Sequence, residues 1–229
     1  MSNFSPVSPP TTGSSLSFGW EQMKKYFLPL LLVIIVLMIV SAPVNYFNAR
    51  INDPFEPVIM LGLISGAYSL LFLPVITYAT DLIFLHTVRN QKVDFNNLLA
   101  GFKTENYLNI VLTNLLASVL IIVAFIALVI PGIIVACRLS LVSYLVMDKG
   151  LGPVEAVETS WKMTKGYFWT IFGLAIVSFF ILILGLILVV VGLLPALAWV
   201  KASFASLYEA LLAEKQGIYM GESEQSDLN

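Results

Sequence analysis

The sequence predicts an all-α, polytopic membrane protein: six transmembrane helices, with cytoplasmic interfacial amphipathic helices ahead of spans one, three and five. Three observations carry this. The chain is 59% apolar and 11% charged over 229 residues, whereas soluble domains average about 45–50% and 25%. At a mean hydropathy of +0.90, a soluble fold would have more apolar surface than its interior can hide, and a bilayer removes that conflict by acting as the solvent. The apolar residues also gather in six runs, 27–42, 58–85, 107–130, 133–147, 167–191 and 193–213. Several approach the ~20 residues that cross a ~30 Å hydrocarbon core, and none shows the period-2 alternation of barrel strands. Finally, lysine and arginine gather in alternate gaps.

With the N-terminus in the cytoplasm, Lys24, Lys25, Arg89, Lys92, Lys103, Lys149, Lys162, Lys165 and Lys215 all fall on that side, and only Arg50 falls opposite. The positive-inside rule therefore predicts six spans with both termini cytoplasmic. Run four is short, but without it Lys149, Lys162 and Lys165 would lie outside. Lys24 and Lys25 before a stretch ending at Ser41-Ala42 fit a signal peptide. The long polar leader and Pro43 argue against cleavage, and run one is read as a retained helix.

Each element follows. Residues 1–15, with Pro6, Pro9 and Pro10, read as a disordered cytoplasmic tail. Residues 16–215 form the membrane domain, and residues 216–229, with Glu222, Glu224 and Asp227, form an acidic cytoplasmic tail. Residues 43–57 are expected to be the one longer external loop. Run two exceeds one bilayer thickness and predicts a tilt or a kink near Pro74. Pro131-Gly132 and Gly192 to Pro195 are expected to make tight external turns.

The segment 152–166 predicts an amphipathic helix with Pro153 at its first position and Gly166 as its stop. Val154, Val157 and Trp161 share one stripe, and Glu158 and Lys162 are spaced for an i,i+4 pair. Trp20, Lys24 and Tyr26 repeat the spacing of Trp161, Lys165 and Tyr167, so these six residues are predicted interfacial anchors. Leu16, Trp20, Met23 and Phe27 would form the apolar stripe of the first copy. Asp94 would cap a weaker copy with Phe95, Leu98, Leu99 and Phe102. The chain then reads either as three copies of an interfacial helix plus a hairpin, or as three unrelated lead-ins of the kind spans commonly carry.

The segment 131–140, continued by Asp148, Gly152-Pro153-Val154-Glu155-Ala156, Ser160-Trp161 and Thr164-Lys165-Gly166, resembles the uncharacterised bacterial YciC-like inner-membrane proteins. It is also similar to the membrane domain fused to some bacterial glycerophosphodiester phosphodiesterases. The resemblance covers residues 17–212 and is sharpest over 131–168. It implies six membrane helices and a bacterial source, and it brings no catalytic residue, because the soluble catalytic domain of the fusions has no counterpart here.

Two cations fall inside predicted spans. Arg138 lies about 9 Å and Lys201 about 13 Å from the external end at 1.5 Å per residue. Such residues are functional hypotheses by default. The obvious acids, Asp81 and Glu209, lie toward the cytoplasmic ends, leaving both cations without matched partners. Either they bind an anionic lipid or solute, or they snorkel, bond carbonyls or reach Asp53 or Glu56. Asp81 and His86 could form a proton relay, although solvated interfacial residues are the commoner case. Gly62 with Gly66, and Ala198 with Ala202 and Ser206, are small-residue faces for helix packing, within the chain or between subunits.

No nucleic-acid partner is expected at a net charge of −2. One cysteine, Cys137, and one histidine, His86, leave no disulfide and no cysteine-based metal site, and neither a metal nor a cofactor is expected. Hydrolase and phosphate-loop motifs are absent from the sequence. The sequence therefore points to a non-enzymatic accessory subunit or membrane-homeostasis factor whose partners are membrane lipids and other subunits or a second copy. The alternative is a small transporter or lipid-binding protein.

Overall fold

A computed structural model describes residues 9–50, 58–102, 104–187 and 190–226. Eleven helices and no strand occur among the described residues. They are α1 (Thr12–Lys25), α2 (Phe27–Arg50), α3 (Val58–Leu71), α4 (Leu73–Val88), α5 (Asn97–Ala100), α6 (Thr104–Ala127), α7 (Val129–Arg138), α8 (Val142–Lys149), α9 (Pro153–Met163), α10 (Phe168–Ile187) and α11 (Val190–Ser226). Six stretches are long and apolar enough to cross a membrane: Phe27–Phe47, Ile59–Val88, Tyr107–Ala127, Val129–Lys149, Phe168–Ile187 and Gly192–Lys215. The chain is a multi-pass, all-α membrane protein.

Several boundaries differ from the sequence reading, for local reasons. Helix α1 begins at Thr12, inside the segment read as a tail. Thr11 caps it, accepting from the Ser14 N–H at 3.2 Å while Ser14 Oγ accepts from the Thr11 N–H at 3.3 Å. That reciprocal pair satisfies two otherwise orphaned donors. Helix α2 continues through Pro43 to Arg50, so much of the predicted external loop is helical, and Asp53 and Glu56 lie outside the described residues. Span two breaks at Phe72, two residues before Pro74, and Pro74 sits in the first turn of α4, where its missing N–H is not needed.

The predicted turn at Pro131-Gly132 falls three residues earlier, at the extended residue Leu128. Pro131 is then the third residue of α7, where no intrahelical donor is required. Gly132 packs directly on the Phe125 ring, leaving no room for a β-carbon. Likewise Gly192 to Pro195 lie inside α11 rather than between spans five and six. A β-carbon at Gly185 would stand 2.7 Å from the Ala196 β-carbon, so α10 and α11 approach closely there. The helix of α11 runs on to Ser226, through most of the segment read as an acidic tail. Gly150 and Gly166 carry positive φ values of 65° and 94° and end α8 and the turn after α9, as glycine does at helix C-termini.

Burial divides the spans. The apolar window of span six is 61% buried and that of span four 44%, against 11% for span three. Within span two, α4 is buried along nearly its whole length, whereas α3 leaves Ile59, Met60 and Leu63 exposed. Helices α4, α8 and α11 thus form the interior, with Phe84, Leu85, Leu141, Leu145, Leu207 and Tyr208 in the core cluster. The other spans expose long apolar flanks, such as Leu108, Ile122, Ile126, Phe179 and Leu184, as lipid-facing helices do.

Helix α1 packs most extensively on α11. Its buried face is Ser15, Gly19, Gln22 and Met23, which keeps only part of the predicted stripe: Met23 is buried and Leu16 packs against the core, but Trp20 and Phe27 are exposed. The reason is close approach. A β-carbon on Gly19 would come within 2.7 Å of the Ser203 backbone nitrogen, so α1 meets the small face of α11, where Ala198, Ala202 and Ser206 are buried as well. Trp199 Nε1 donates to the Leu16 carbonyl at 2.8 Å.

Candidate functional site

Three buried helices that carry opposite charges can pair them, and this bundle does so at two levels. Lys201 Nζ on α11 donates to Asp81 Oδ1 on α4 at 2.5 Å. Two turns further along, Arg89, just past α4, binds Asp148 on α8 through both guanidinium ends, with Nη2 to Oδ2 at 2.9 Å. Arg89 Nε also donates to Glu209 Oε2 on α11 at 3.0 Å. Tyr208 donates its hydroxyl to Asp148 at 3.0 Å and stacks on Tyr144 with centroids 5.1 Å apart. Burial alone would depress the Arg89 guanidinium, but the bonds to Asp148 and the charge of Glu209 outweigh it and raise its pKa.

The expectation that Lys201 lacks a matched acid is thus overturned. Counting residues from a predicted span end misplaced the two groups. Asp81 and Lys201 lie 120 residues apart, as do Arg89 and Glu209. Equal separations mean that α4 and α11 run in the same direction at matched register. The pairing separates Asp81 from His86, whose Nδ1 instead lies 3.3 Å from Asn97 Nδ2.

Beside the Lys201–Asp81 pair lies a cavity of about 150 Å³ lined by Ser140, Ser143, Tyr144, Val200 and Phe204 as well as the pair itself. Span four is interrupted there. Helix α7 ends at Arg138 and α8 begins at Val142, and the Val142 N–H turns to the Leu139 carbonyl at 3.2 Å. The Arg138 carbonyl, left without its helical donor, accepts from Ser160 Oγ at 2.7 Å and from Thr164 Oγ1 at 3.4 Å, both in the segment of α9. Ser140 Oγ donates to the Cys137 carbonyl at 2.9 Å. The break needs no proline because hydroxyls satisfy the carbonyls it frees.

Arg138 itself differs from the other inner cations. It has no acid within 4 Å among the described residues, and its Nε and Nη1 are shielded from solvent with no hydrogen-bond partner. The guanidinium carbon lies over the Trp161 ring, 5.7 Å from its centroid. A cation–π contact is worth about 0.5–2 kcal/mol, whereas each unmet buried donor costs about 1–3 kcal/mol and more when charged. The aromatic ring therefore does not offset the missing partners.

The remaining predicted sites divide. Trp20 and Trp199 rings lie 4.7 Å apart with Lys24 Nζ over Trp20 at 5.6 Å, and Lys25 Nζ lies over Tyr26 at 5.2 Å. Trp161 and Lys165 are exposed, and Tyr167 donates to Glu214. Glu158 and Lys162 form the expected i,i+4 pair at 2.7 Å on an exposed face. Helix α5 is a single turn, and Asp94 accepts from the Asn96 N–H ahead of it at 2.9 Å rather than capping a longer helix. Gly62 and Gly66 meet nothing within 4 Å of a modest added side chain, so within this chain they are not a packing face. No cluster of histidine, cysteine and acid side chains able to hold a metal occurs among the described residues.

Sequence reasoning missed the hub around Arg89. The signal was present: Arg89, Asp148 and Glu209 each sit near the same end of an even-numbered span. Comparison with protein families, curated proteins and solved structures returns no match for this chain.

Proposed function

We propose that this protein is a non-enzymatic component of a bacterial inner membrane, an accessory subunit or a membrane-homeostasis factor, with both termini in the cytoplasm. The observation that carries the reading is the mutual pairing of charges between the inner helices. Asp81, Lys201, Arg89, Asp148 and Glu209 are committed to one another, so these groups act as staples between spans two, four and six. Buried pairs of this kind fix register and partner choice more than they add stability. The cavity beside them, about 150 Å³, falls below the roughly 300–1,000 Å³ of sites that enclose organic ligands. The positive-inside bias supports the orientation, and the resemblance to YciC-like proteins supports the bacterial assignment.

A second reading, a transporter for a small anionic or amphiphilic solute, draws on one observation: a broken span beside a polar cavity is an arrangement that transporters use. Reconstitution into vesicles separates the two. The accessory reading expects no saturable flux of small anions or amphiphiles, and a co-purifying membrane protein or lipid from native membranes. Saturable flux that disappears in a Lys201→Leu variant would sink it.

A further inference from the structure

We propose that Arg138 is a binding site for a phosphate oxyanion, supplied by a lipid headgroup or by free phosphate. The inference rests on the reading of this chain as a lipid-contacting membrane protein and names the ligand chemistry of one corner of it. Four observations converge. The guanidinium is an unneutralised cation, with no acid within 4 Å among the described residues. Two of its nitrogens, Nε and Nη1, are sheltered and have no acceptor. Its backbone is fixed at the break in span four, because the Ser160 and Thr164 hydroxyls hold its carbonyl. And the residue beside it, Trp161, is 44% exposed, so the cation stands just behind a surface aromatic ring.

Charge selects the ligand class. A permanent cation with unfilled donors calls for an anion, and a planar guanidinium matches the oxygens of a phosphate or carboxylate better than an ammonium does. The acids of the adjoining helix α9, Glu155 and Glu158, do not compete: neither forms an ion pair with Arg138 among the described residues, and Glu158 is bound to Lys162 at 2.7 Å. Trp161 and Trp169, which is 77% exposed, flank the turn into span five, and tryptophan favours the headgroup level of a bilayer. Phosphate is the anion most abundant at that level. Lys201 does not share this role, since Asp81 already occupies its ammonium at 2.5 Å.

The test uses the purified full chain in mild detergent. Native mass spectrometry would score retention of phosphatidylglycerol, diacylglycerol and inorganic phosphate by the wild type, Arg138→Leu, Arg138→Lys and the exposed control Lys92→Leu. The wild type should retain phosphatidylglycerol over diacylglycerol, which has no phosphate. Arg138→Leu should lower that retention at least about tenfold, the scale of one charge-assisted hydrogen bond. Arg138→Lys should fall between, and Lys92→Leu should match the wild type. Preferential retention of the lipid assigns the site to a headgroup, and displacement of the lipid by inorganic phosphate assigns it to free phosphate; both support the oxyanion site.

Melting of the wild type alone keeps the test independent of variant folding: phosphatidylglycerol or phosphate should raise its midpoint and diacylglycerol should not. Equal retention by the wild type and both Arg138 variants would overturn the proposal, as would no preference of the wild type for either phosphate anion. Failure of the accessory reading would appear elsewhere, as solute flux in vesicles, with lipid retention unchanged.

Discussion

Arg89 and Arg138 are both arginines at the end of a helix in the same bundle, yet they are in opposite states. Arg89 meets two carboxylates, on α8 and α11, while Arg138 meets the face of a tryptophan and the hydroxyls that cap its own carbonyl. The difference lies in the neighbouring helices. Arg89 follows a span enclosed by two other spans that carry acids at the same height. Arg138 ends a half-span that packs mainly on α6, whose lipid-facing residues are apolar. One cation therefore serves the fold, and the other is left available to something outside it.

The comparison can be broken by experiment, and the largest effect is expected at Arg89. Arg89→Leu strands Asp148 and Glu209 without their common partner. Removing one member of a buried pair typically costs about 3–5 kcal/mol, so the thermal midpoint in detergent should fall steeply or the protein should fail to accumulate. An unchanged midpoint would remove the staple from the argument.

Next comes the Lys201–Asp81 pair. Asp81→Asn alone should destabilise by about 3 kcal/mol by leaving the ammonium unpaired, whereas Asp81→Leu with Lys201→Leu should recover most of that loss, because replacing both partners by apolar groups is often neutral. A double variant as unstable as the single would mean that the cavity beside the pair needs its charges, which favours transport. At Arg138 the sign reverses: in detergent without added lipid, Arg138→Leu should melt at or slightly above the wild type, since it removes unmet buried donors.

The smallest effect sharpens the boundary of the bundle. Burial, the hydrogen bond to Glu214 and the charge of Glu214 together push the Tyr167 phenol up from its ordinary 10.0 to about 12. A group raised in the folded state contributes stability that is fully present below its unfolded value and is lost as pH rises through the folded value. The wild type should therefore lose a small increment of stability between about pH 10 and pH 12. Tyr167→Phe should lack that alkaline loss, and ultraviolet titration of tyrosinate checks the assignment directly. Ionisation of all tyrosines together near the lower value would remove the contact with Glu214.

Much of this was legible in the chain. The six spans follow from hydropathy because lipid-facing helices must be apolar along their whole length, and Pro153, Gly166 and the Glu158–Lys162 pair follow from rules acting within one or two helical turns. The errors cluster where a second helix decides the outcome. Leu16, Trp20, Met23 and Phe27 make a good apolar stripe, but α1 turns Gly19 inward because α11 offers Ser203 and a row of alanines to approach. Proline misled twice: Pro131 and Pro195 were read as turn residues, yet Pro131 is the third residue of α7, where the N–H has no intrahelical role, and Pro195 lies inside α11.

The sequence by itself determined the membrane class, the number of spans, the charge bias between the two faces and the presence of two cations within apolar runs. All of these depend on local composition, which a bilayer reads one segment at a time. Only the tertiary structure decided that Lys201 is neutralised and Arg138 is not. Pairing across 120 residues depends on which helices are neighbours and at what height, and those are properties of packing that no single segment carries.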